Sequence, residues 1–420
     1  MKEKRIKAPR GMADLFFDDA VLRQRLENTA RDLFDLYGFS EIRTPILEET
    51  ALFTRSIGDA TDIVSKEMFS FTDRGERNLS LRPEGTAPVV RSYIENDLGK
   101  KAGLCKLYYA GPMFRSERPQ AGRLRQFYQL GVEVIGSASP YADAEVMILM
   151  MELLQKLGLD GAELKLNSLG CADDKEKFNR LLKKELSGQK SALCKDCQAR
   201  FDKNILRIFD CKNESCKRLL RAAPDMLEHI CGGCRDHFDK VKEALSRQKV
   251  GFTVDPRLVR GLDYYTQTAF EVTHKNLGSQ NAVGAGGRYD KLVRELGGPD
   301  APACGFAVGL DRIALALDEN KKAAVKAAIK VFVVPLGGEA QAKGFSILQE
   351  LRKQGIAAEM DYDARSLKAQ MRRADKSGAD YAVIIGEDEL KKGAVIIRNM
   401  KDKSQRELGF GQITDSIKGL

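Results

Sequence analysis

The most regular alternation of apolar and polar residues in the chain lies between Gly111 and Gly136. From residue 128 onward every second position is apolar, and this period of two is typical of a half-buried strand. The apolar positions are Tyr128, Leu130, Val132 and Val134. A second alternating segment ends shortly before Pro119, and the Pro-Gln-Ala-Gly turn between the segments predicts that they form a long hairpin.

This hairpin brings charged and polar side chains together on one surface of the predicted sheet. The residues that share this surface are Arg115, Glu117, Gln129 and Glu133, and the arginines of the loop are Arg118, Arg123 and Arg125. Guanidinium groups beside carboxylates indicate a site for an anion. A surface hairpin whose charges are solvated is the alternative that the pattern alone leaves open.

Helical spacing of apolar residues marks two further elements. It predicts an amphipathic helix over 18–37 and a buried core helix over 140–157, each followed by a glycine that acts as a stop signal. Residues 42–46 alternate like a strand, and Pro45 places that strand at a sheet edge because proline cannot donate to a ladder.

The end of the chain shows a different order of elements. Helices are predicted over 339–354 and 367–376, and apolar runs before, between and after them predict strands. Strands that alternate with helices imply βαβ units, so we expect a separate α/β domain with a parallel sheet over 329–420. A basic, alanine-rich linker over 320–330 precedes this domain.

The composition is that of an ordinary globular protein, with 43% hydrophobic and 31% charged residues over a length of 420 that allows two or three domains. The formal net charge of +9 fits an anionic partner, and residues 171–249 carry much of the excess, with 19 basic and 13 acidic residues. A signal peptide and long apolar runs are missing from the sequence, so we expect a cytoplasmic protein without a membrane partner.

Seven of the nine cysteines lie between Cys171 and Cys234. In a chain without an export signal they are better explained as thiols or metal ligands than as a disulfide framework. Two CxxC pairs match the spacing of a structural zinc site, whose predicted ligands are Cys194, Cys197, Cys231 and Cys234. Reduced thiols in a small helical domain are the alternative.

The segment SLRPEGT predicts a strand end followed by a turn. Pro83 and Gly85 impose the turn, so we expect Arg82, Glu84 and Thr86 to be displayed at the strand end rather than buried in a core.

Three later segments also carry candidate site residues. The string RGLDYYTQTAFE joins a loop with Arg260, Tyr264 and Tyr265 to a strand. The string GAGGRYDKLV is neither a Walker loop nor a full GxGxxG, and its glycines allow the backbone to approach a bound molecule closely. In CGFAVGLDRIALAL, Arg312 stands in the first turn of a helix, where the dipole disfavours a cation unless an anion lies nearby.

These strings resemble, in number and order, the motifs of class II aminoacyl-tRNA synthetases. FSEIRTPILEET is similar to motif 1, FRSE with RQFYQLGVE to motif 2, and CGFAVGLDR to motif 3; the wording of motif 2 and RGLDYYTQTAFE resembles histidyl-tRNA synthetases in particular. The resemblance implies an α+β fold: an antiparallel-sheet catalytic domain over 1–325, interrupted by a helical insertion over 171–249, and a C-terminal α/β anticodon-binding domain over 329–420. The insertion resembles that of bacterial members, which folds without metal.

The same resemblance implies a reaction and residue roles. Histidine and ATP, with Mg²⁺ bridging the phosphates, give histidyl-adenylate, and the histidyl group passes to the 3′-terminal adenosine of tRNA(His) in a homodimer whose interface includes motif 1. The implied catalytic residues are Arg260 and Arg115. Histidine would be bound by Glu84, Thr86, Gln129, Glu133, Tyr264 and Tyr265, and ATP by Arg115, Glu117, Arg123 and Arg312. Arg118 and Gln120 would contact the tRNA acceptor end, which carries an extra 5′ guanosine.

Two other functions compete with this interpretation. The regulatory subunit of ATP phosphoribosyltransferase shares the catalytic fold and binds histidine without catalysis, but that family typically lacks the anticodon domain and an intact RGLDYY region. A hydrolase or transferase with Ser/His or Cys/His chemistry is disfavoured because none of the three histidines, His229, His237 and His274, lies in the charged strands.

Overall fold

The computed structural model describes residues 6–58, 61, 63–120, 122–278, 280–318, 330–363 and 365–418. The chain divides into two compact units, Met1–Val325 and Lys326–Leu420. Most of the linker predicted over 320–330 lies outside the described residues. In the part of the chain that the structure describes, no helix has the length and apolar character needed to span a membrane.

An eight-stranded sheet is the centre of the first unit. The strands of this unit are β1 (Ser40–Glu41), β2 (Leu47–Glu49), β3 (Phe69–Thr72), β4 (Asn78–Leu81), β5 (Cys105–Phe114), β6 (Gln126–Ile135), β7 (Glu163–Ser168), β8 (Phe252–Val254), β9 (Thr266–Thr273), β10 (Ala282–Arg288) and β11 (Ala303–Gly309). The large sheet has the order β1-β5-β6-β11-β10-β9-β7-β8, and a three-stranded sheet has the order β2-β4-β3. Pairing in the large sheet is antiparallel except at its two edges, where β1 and β8 run parallel to their neighbours.

Helices surround this sheet on both faces. They are α1 (Asp18–Leu36), α2 (Thr50–Ile57), α3 (Thr86–Glu95), α4 (Leu98–Ala102), α5 (Pro140–Lys156), α6 (Ala172–Leu186), α7 (Lys195–Lys203), α8 (Glu214–Leu220), α9 (Gly232–Arg247), α10 (Leu292–Glu295) and α11 (Leu310–Ala316). The predicted helices over 18–37 and 140–157 are therefore confirmed as α1 and α5. Helices α6 to α9 form a helical insertion between β7 and β8.

The predicted hairpin is confirmed by β5 and β6, which pair over their full length from Cys105 opposite Ile135 to Phe114 opposite Gln126. The apolar positions of β6 pack with α1 and α5 into one hydrophobic core. Helix α5 begins with Pro140, and the Ser139 hydroxyl oxygen accepts a hydrogen bond from the Tyr141 amide at 3.2 Å. This core covers one face of the sheet, so a binding site on the sheet has to lie on the opposite face.

The strand predicted over residues 42–46 is wrong. The Ile42 amide donates to the Tyr108 carbonyl at 2.8 Å, after which the chain leaves the sheet and resumes as a strand only in β2. The guanidinium of Arg82, which is distant in sequence, donates a hydrogen bond to the Thr44 carbonyl at 2.9 Å. Pro45 has no amide hydrogen with which to pair to a strand. The Thr44 carbonyl therefore binds a side chain instead of a neighbouring strand.

A buried ion pair ties the sheet to α5. Arg288 at the end of β10 is fully buried, and its guanidinium contacts the Asp143 carboxylate, which also accepts hydrogen bonds from Thr268 at 2.7 Å and His237 at 2.6 Å. Removing one member of such a buried pair costs about 3–5 kcal/mol. The pair anchors the strand end from which Tyr289 follows.

The second unit is an α/β domain. Its elements are β12 (Val331–Pro335), α12 (Gly338–Lys353), β13 (Ala358–Met360), α13 (Leu367–Lys376), β14 (Tyr381–Ile385), α14 (Glu387–Lys392), β15 (Ala394–Asn399), β16 (Gln405–Gly409) and α15 (Ile413–Lys418). The prediction of a parallel sheet is correct for β13, β12 and β14 and wrong for β15 and β16, which are antiparallel. Only residues 386–393 connect β14 to β15, and this is too short for a parallel crossover.

Candidate active site

The face of the large sheet opposite α5 has a floor of small residues. Cross-strand pairing places Glu133 of β6 opposite Gly305, and Glu271 of β9 opposite Ala285. The small residues that lie in register between the carboxylate-bearing strands are Gly131, Ala269, Ala285, Gly287, Gly305 and Ala307. Side chains that small leave space above the central strands, with polar groups on either side.

Glycine is required at the floor because large side chains lie flat on it. A Cβ atom at Gly305 would be 2.1 Å from a carboxylate oxygen of Glu133, and one at Gly131 would be 2.3 Å from the Tyr109 ring. The glycines of GAGGRYDKLV on β10 were predicted to admit a bound molecule, and a Cβ atom at Gly287 would be 2.9 Å from the Tyr265 ring. The contacts give them a more specific role, which is to admit the protein's own polar and aromatic side chains.

Glu133 is the central carboxylate of the site and is 1% exposed. Its two oxygens accept hydrogen bonds from the Thr86 hydroxyl at 2.7 Å and from the Tyr289 hydroxyl. Burial raises the pKa of Glu133 to about 8; the hydrogen bonds from Tyr289 and Thr86 oppose the shift, and the charge of Glu84 adds to it. The Glu133 carboxyl is therefore protonated at neutral pH.

Glu84 is buried at the start of α3. Its carboxylate accepts hydrogen bonds from the backbone amides of Thr86 at 2.6 Å and Ala87 at 2.9 Å, which are unpaired donors of the first helical turn. Burial raises the pKa of Glu84, against the effect of these bonds and of the nearby Arg115 charge. The prediction that Arg82, Glu84 and Thr86 are displayed outside a core is wrong, since all three are buried.

Three tyrosines form an aromatic wall beside Glu133. The ring centroids of Tyr264 and Tyr265 are 4.8 Å apart, and that of Tyr289 lies 5.6 Å from Tyr264 and 6.5 Å from Tyr265. All three are buried. Such a wall, with a carboxylate beside it, can enclose a flat ring that carries an N–H group.

Arg260 lies at the opposite side of the floor from Gln129. Its guanidinium pairs with Glu271 at 2.9 Å, and this pairing outweighs the effect of burial, so that its pKa is raised. Within the described part of the chain, neither the buried Nε of Arg260 nor the buried Oε1 of Gln129 has a hydrogen-bond partner. Buried polar atoms of this kind are normally paired, so each is a candidate contact for a polar ligand.

Cations also gather around the loop between β5 and β6. Arg123 pairs with Glu117 at 2.8 Å, and the guanidinium of Arg312 donates to the Gly122 carbonyl of the same loop at 3.1 Å. Burial and the nearby Arg123 charge both lower the pKa of Arg312. Two guanidinium groups held close together favour an anion such as a phosphate.

Arg115 lies between the arginines of the loop and the segment that carries Glu84. Its Nε donates to the Pro83 carbonyl at 3.0 Å, and its guanidinium lies over the Phe127 ring, 5.2 Å from the centroid. These contacts fix the plane of the guanidinium while leaving its terminal nitrogens for other partners.

The tip of the loop carries Arg118 and Gln120, and both are exposed. Two backbone hydrogen bonds between Gln120 and Arg123, at 3.1 and 2.9 Å, close the tip as a tight turn. Arg123 belongs to the same turn, but its side chain pairs with Glu117, whereas the side chains of Arg118 and Gln120 are exposed.

The predicted zinc group of Cys194, Cys197, Cys231 and Cys234 is wrong. The two CxxC pairs belong to different clusters, each completed by other residues. Spacing along the chain could not show this, because the partner of each pair is chosen by the packing of the insertion helices.

Sequence reasoning also missed residues that build the site. Tyr289 and Glu271 contact predicted site residues directly, and Tyr109 packs on the floor. Tyr289 and Glu271 both stand in strings that were singled out, GAGGRYDKLV and RGLDYYTQTAFE, so a count of their polar side chains could have found them. Tyr109 has no such signal.

Comparison with protein families assigns both units. The family model described as histidyl-tRNA synthetase matches residues 11–313, and the model described as anticodon binding domain matches residues 330–420. The chain belongs to the histidyl-tRNA synthetase family. The curated histidine–tRNA ligase of Halothermothrix orenii is 47% identical over 416 residues, which cover 99% of each chain. The expected ligase class and the α+β fold with an anticodon-binding domain are therefore confirmed.

Two solved structures are similar to this chain over nearly its whole length. The apo histidyl-tRNA synthetase of S. aureus is 34% identical, with a TM-score of 0.83 over 99% of this chain and 100% of that chain. A Bacillus halodurans protein, titled ATP phosphoribosyltransferase regulatory subunit/histidyl-tRNA synthetase, gives a TM-score of 0.67 over 92% of this chain and 99% of that chain. At 21% identity it shares the fold alone, so the non-catalytic alternative is less supported.

Proposed function

We propose that the site activates L-histidine with ATP and passes the histidyl group to tRNA(His). The observation that carries the proposal is the buried Glu133 carboxylate, which faces an aromatic wall in a synthetase fold. A carboxylate can accept a hydrogen bond from an imidazole N–H, and the tyrosines match the flat apolar faces of the ring. Glu84, Thr86, Gln129, Tyr264 and Tyr265 complete the amino-acid pocket.

In the first step, an oxygen of the histidine carboxylate attacks the α-phosphorus of ATP. The bond to the bridging oxygen of the β-phosphate breaks, and pyrophosphate leaves with its electron pair. Both reactants are anionic, so the residues have to neutralise charge and hold the reactants in line. Arg260, with a buried Nε that lacks a partner among the described residues, and Arg115, with its plane fixed, are the catalytic candidates.

ATP would lie along the cations of the loop. Arg115, Arg123 and Arg312 can bind its phosphates, and Glu117 holds Arg123 in position. Mg²⁺ would supply further neutralisation of the phosphate charge. In the second step a ribose hydroxyl of the terminal adenosine attacks the adenylate carbonyl, and AMP leaves.

The tRNA would be contacted by both units. Arg118 and Gln120 at the exposed loop tip can supply donors to a guanine and its phosphate, and the second unit would bind the anticodon. The relatives' names support a tRNA partner.

The location we propose is the cytoplasm, where the nine thiols, all free of disulfides, are stable.

The homodimer is also part of this proposal. Ile46 and Leu47, which follow the motif 1 proline, and Phe71 on β3 expose large apolar side chains on or beside the three-stranded sheet. An apolar patch of this kind suits an interface between copies of the chain. Sedimentation equilibrium should give twice the chain mass, and a single-chain mass at micromolar concentration would contradict the dimer.

Aminoacylation with labelled histidine tests the function as a whole. We expect the purified chain to attach histidine to tRNA(His) in an ATP-dependent reaction that ribonuclease treatment abolishes. The matched control is a tRNA of another specificity. Binding of histidine without any charging of tRNA would favour the non-catalytic alternative.

A further inference from the structure

The insertion gathers eight of its side chains, seven cysteines and one aspartate, into two separate clusters that lie outside the active site. The first cluster is Cys194, Cys197, Cys211 and Cys216, and the second is Cys171, Asp174, Cys231 and Cys234. Within each cluster the four potential ligand atoms all lie within 4.8 Å of one another. Each cluster therefore contains the four ligands of a tetrahedral site.

Distances in the first cluster fit a metal better than a disulfide. The sulfurs of Cys194 and Cys211 are 3.8 Å apart. Four sulfurs at about 2.3 Å from a central Zn²⁺ are separated from each other by about 3.8 Å, whereas a disulfide bond is about 2.05 Å long. Packing alone gives no reason for four thiols to converge on one point.

Backbone amides are directed at the sulfurs of this first cluster. The Cys194 amide donates to the Cys216 sulfur at 3.2 Å, and the Asn213 amide donates to the Cys211 sulfur at 3.4 Å. Cys194 caps α7, with Cys197 in the first turn of that helix. Amide donors and helix N-termini stabilise thiolates, which are the form of cysteine that binds a metal.

The second cluster repeats this construction with a carboxylate. Cys171 caps α6 and Asp174 lies in its first turn, while Cys231 caps α9 and Cys234 lies in its first turn. Asp174 accepts hydrogen bonds from the Cys171 amide at 3.2 Å and the Cys231 amide at 3.1 Å. Two helix N-termini thus face each other, with a C-x-x-D motif on one and a C-x-x-C motif on the other.

From these two clusters we infer that the insertion binds two zinc ions, one through four cysteines and one through three cysteines and Asp174. The second ion joins the first helix of the insertion to its last helix. The first ion holds the middle segments together. Four-coordinate sites built on cysteine sulfurs are typical of structural zinc, and an aspartate oxygen can also serve as a zinc ligand.

The second zinc site lies close in the chain to a contact with the active site. Lys175, which follows Asp174, donates to the carbonyls of Tyr265 at 2.9 Å and Asp263 at 3.3 Å. Zinc in this position would hold the insertion against the loop that carries the aromatic wall. Its loss is therefore expected to raise the KM for histidine, whereas loss of the first zinc should affect the KM less.

Zinc analysis of the full chain, purified under reducing conditions without chelator, tests the inference. We expect about two zinc ions per chain in the wild type and about one in either Cys216→Ser or Cys234→Ser. Cys105→Ala, which removes a buried cysteine outside both clusters, should keep both ions. Less than a tenth of a zinc per chain in the wild type would overturn both sites.

Cobalt substitution keeps the test decisive if a variant fails to fold. The wild-type chain, stripped of metal and titrated with Co²⁺, should show thiolate-to-cobalt charge transfer and the visible bands of tetrahedral cobalt, saturating near two equivalents. Saturation of the wild-type chain at one equivalent would overturn the inference of two sites. Absence of charge-transfer absorption would overturn both.

Discussion

At the scale of single residues, the protonation of Glu133 should control how the proposed pocket binds histidine. Burial lifts the pKa of Glu133 to about 8, so the carboxyl keeps its proton in the free protein at neutral pH. A substrate N–H would favour the ionised form, because a carboxylate is the stronger acceptor. Binding of histidine and ionisation of Glu133 are therefore expected to be coupled.

Glu133→Gln should weaken histidine more than ATP. An amide cannot replace the charge-assisted hydrogen bond, whose loss costs on the order of 1.5–3 kcal/mol, or about 10-fold or more in the KM for histidine. In the wild type this KM should fall as pH rises toward 8, and in the variant it should stay flat. Equal increases in the KM values of histidine and ATP would show that Glu133 does not bind the substrate side chain.

The same variant should change how stability depends on pH. The folded chain keeps the Glu133 proton up to about pH 8, whereas the unfolded chain releases it near the ordinary glutamate pKa of 4.5. Stability contributed by this group is thus present below pH 4.5 and lost as pH rises through 8. Urea denaturation at pH 5 and pH 8 should show a smaller loss of stability in Glu133→Gln than in the wild type. A loss of equal size in both proteins would mean that Glu133 titrates normally.

Arg260→Ala should lower histidine-dependent pyrophosphate exchange about 100-fold or more, because its guanidinium neutralises charge at the reacting phosphate. Arg257→Ala is the matched control. Arg257 lies in the same loop, but its guanidinium binds the Pro224 carbonyl at 3.0 Å and pairs with Asp225 at 2.9 Å. The control should lose stability and keep its exchange rate per folded chain. A similar loss of exchange in both variants would assign Arg260 to loop structure alone.

At the scale of elements, the glycine-rich strands allow the pocket residues to lie on the sheet. Gly305→Ala should lower stability by about 1–3 kcal/mol and raise the KM for histidine, because the new Cβ would meet the Glu133 carboxylate at 2.1 Å and the Val132 carbonyl at 2.2 Å. The control is Gly188→Ala, where an added Cβ contacts nothing within 4 Å. Unchanged urea midpoints and histidine kinetics in Gly305→Ala would contradict this role for the floor.

The loop between β5 and β6 should separate the two steps of the reaction. Gln120→Ala should leave pyrophosphate exchange near normal and slow transfer to tRNA, with a smaller penalty on tRNA that lacks the extra 5′ guanosine. Gln248→Ala, an exposed glutamine at the end of α9, is the control and should change neither step. The assignment of Gln120 is wrong if exchange and transfer fall together, or if the penalty is the same for both tRNAs.

Elements that depend on local periodicity could be predicted from the sequence, and elements that depend on distant partners could not. The β5–β6 hairpin and α5 follow from spacing and turn residues alone. Residues 42–46 fail as a strand because Arg82 takes the Thr44 carbonyl. Periodicity carries no information about that contact.

Within the site, the sequence indicated which residues to consider but not how they are buried or hydrogen-bonded. The strings drew attention to Glu84, Glu133 and Arg260, but composition could not show that Glu84 is buried and caps a helix. The cysteines show the limit most clearly. Their spacing suggested a single cluster, and helix packing forms two.

At the scale of the whole molecule, two units of different construction serve two parts of one reaction. The first unit combines an antiparallel sheet, a pocket of buried carboxylates and a loop of arginines, while the second is a small α/β domain that matches an anticodon-binding model. The proposed catalytic residues all lie in the first unit. Activation of the amino acid should therefore proceed without tRNA.

Amino-acid-dependent exchange between ATP and labelled pyrophosphate tests that claim most directly, because it measures the first step at the pocket built around Glu133 and Arg260. Each of the twenty amino acids is supplied in turn to the purified chain with ATP and Mg²⁺ and without tRNA. We predict exchange with L-histidine alone, and its loss in Arg260→Ala. No exchange with histidine, or equal exchange with other amino acids, would contradict the assignment of this pocket to histidine activation.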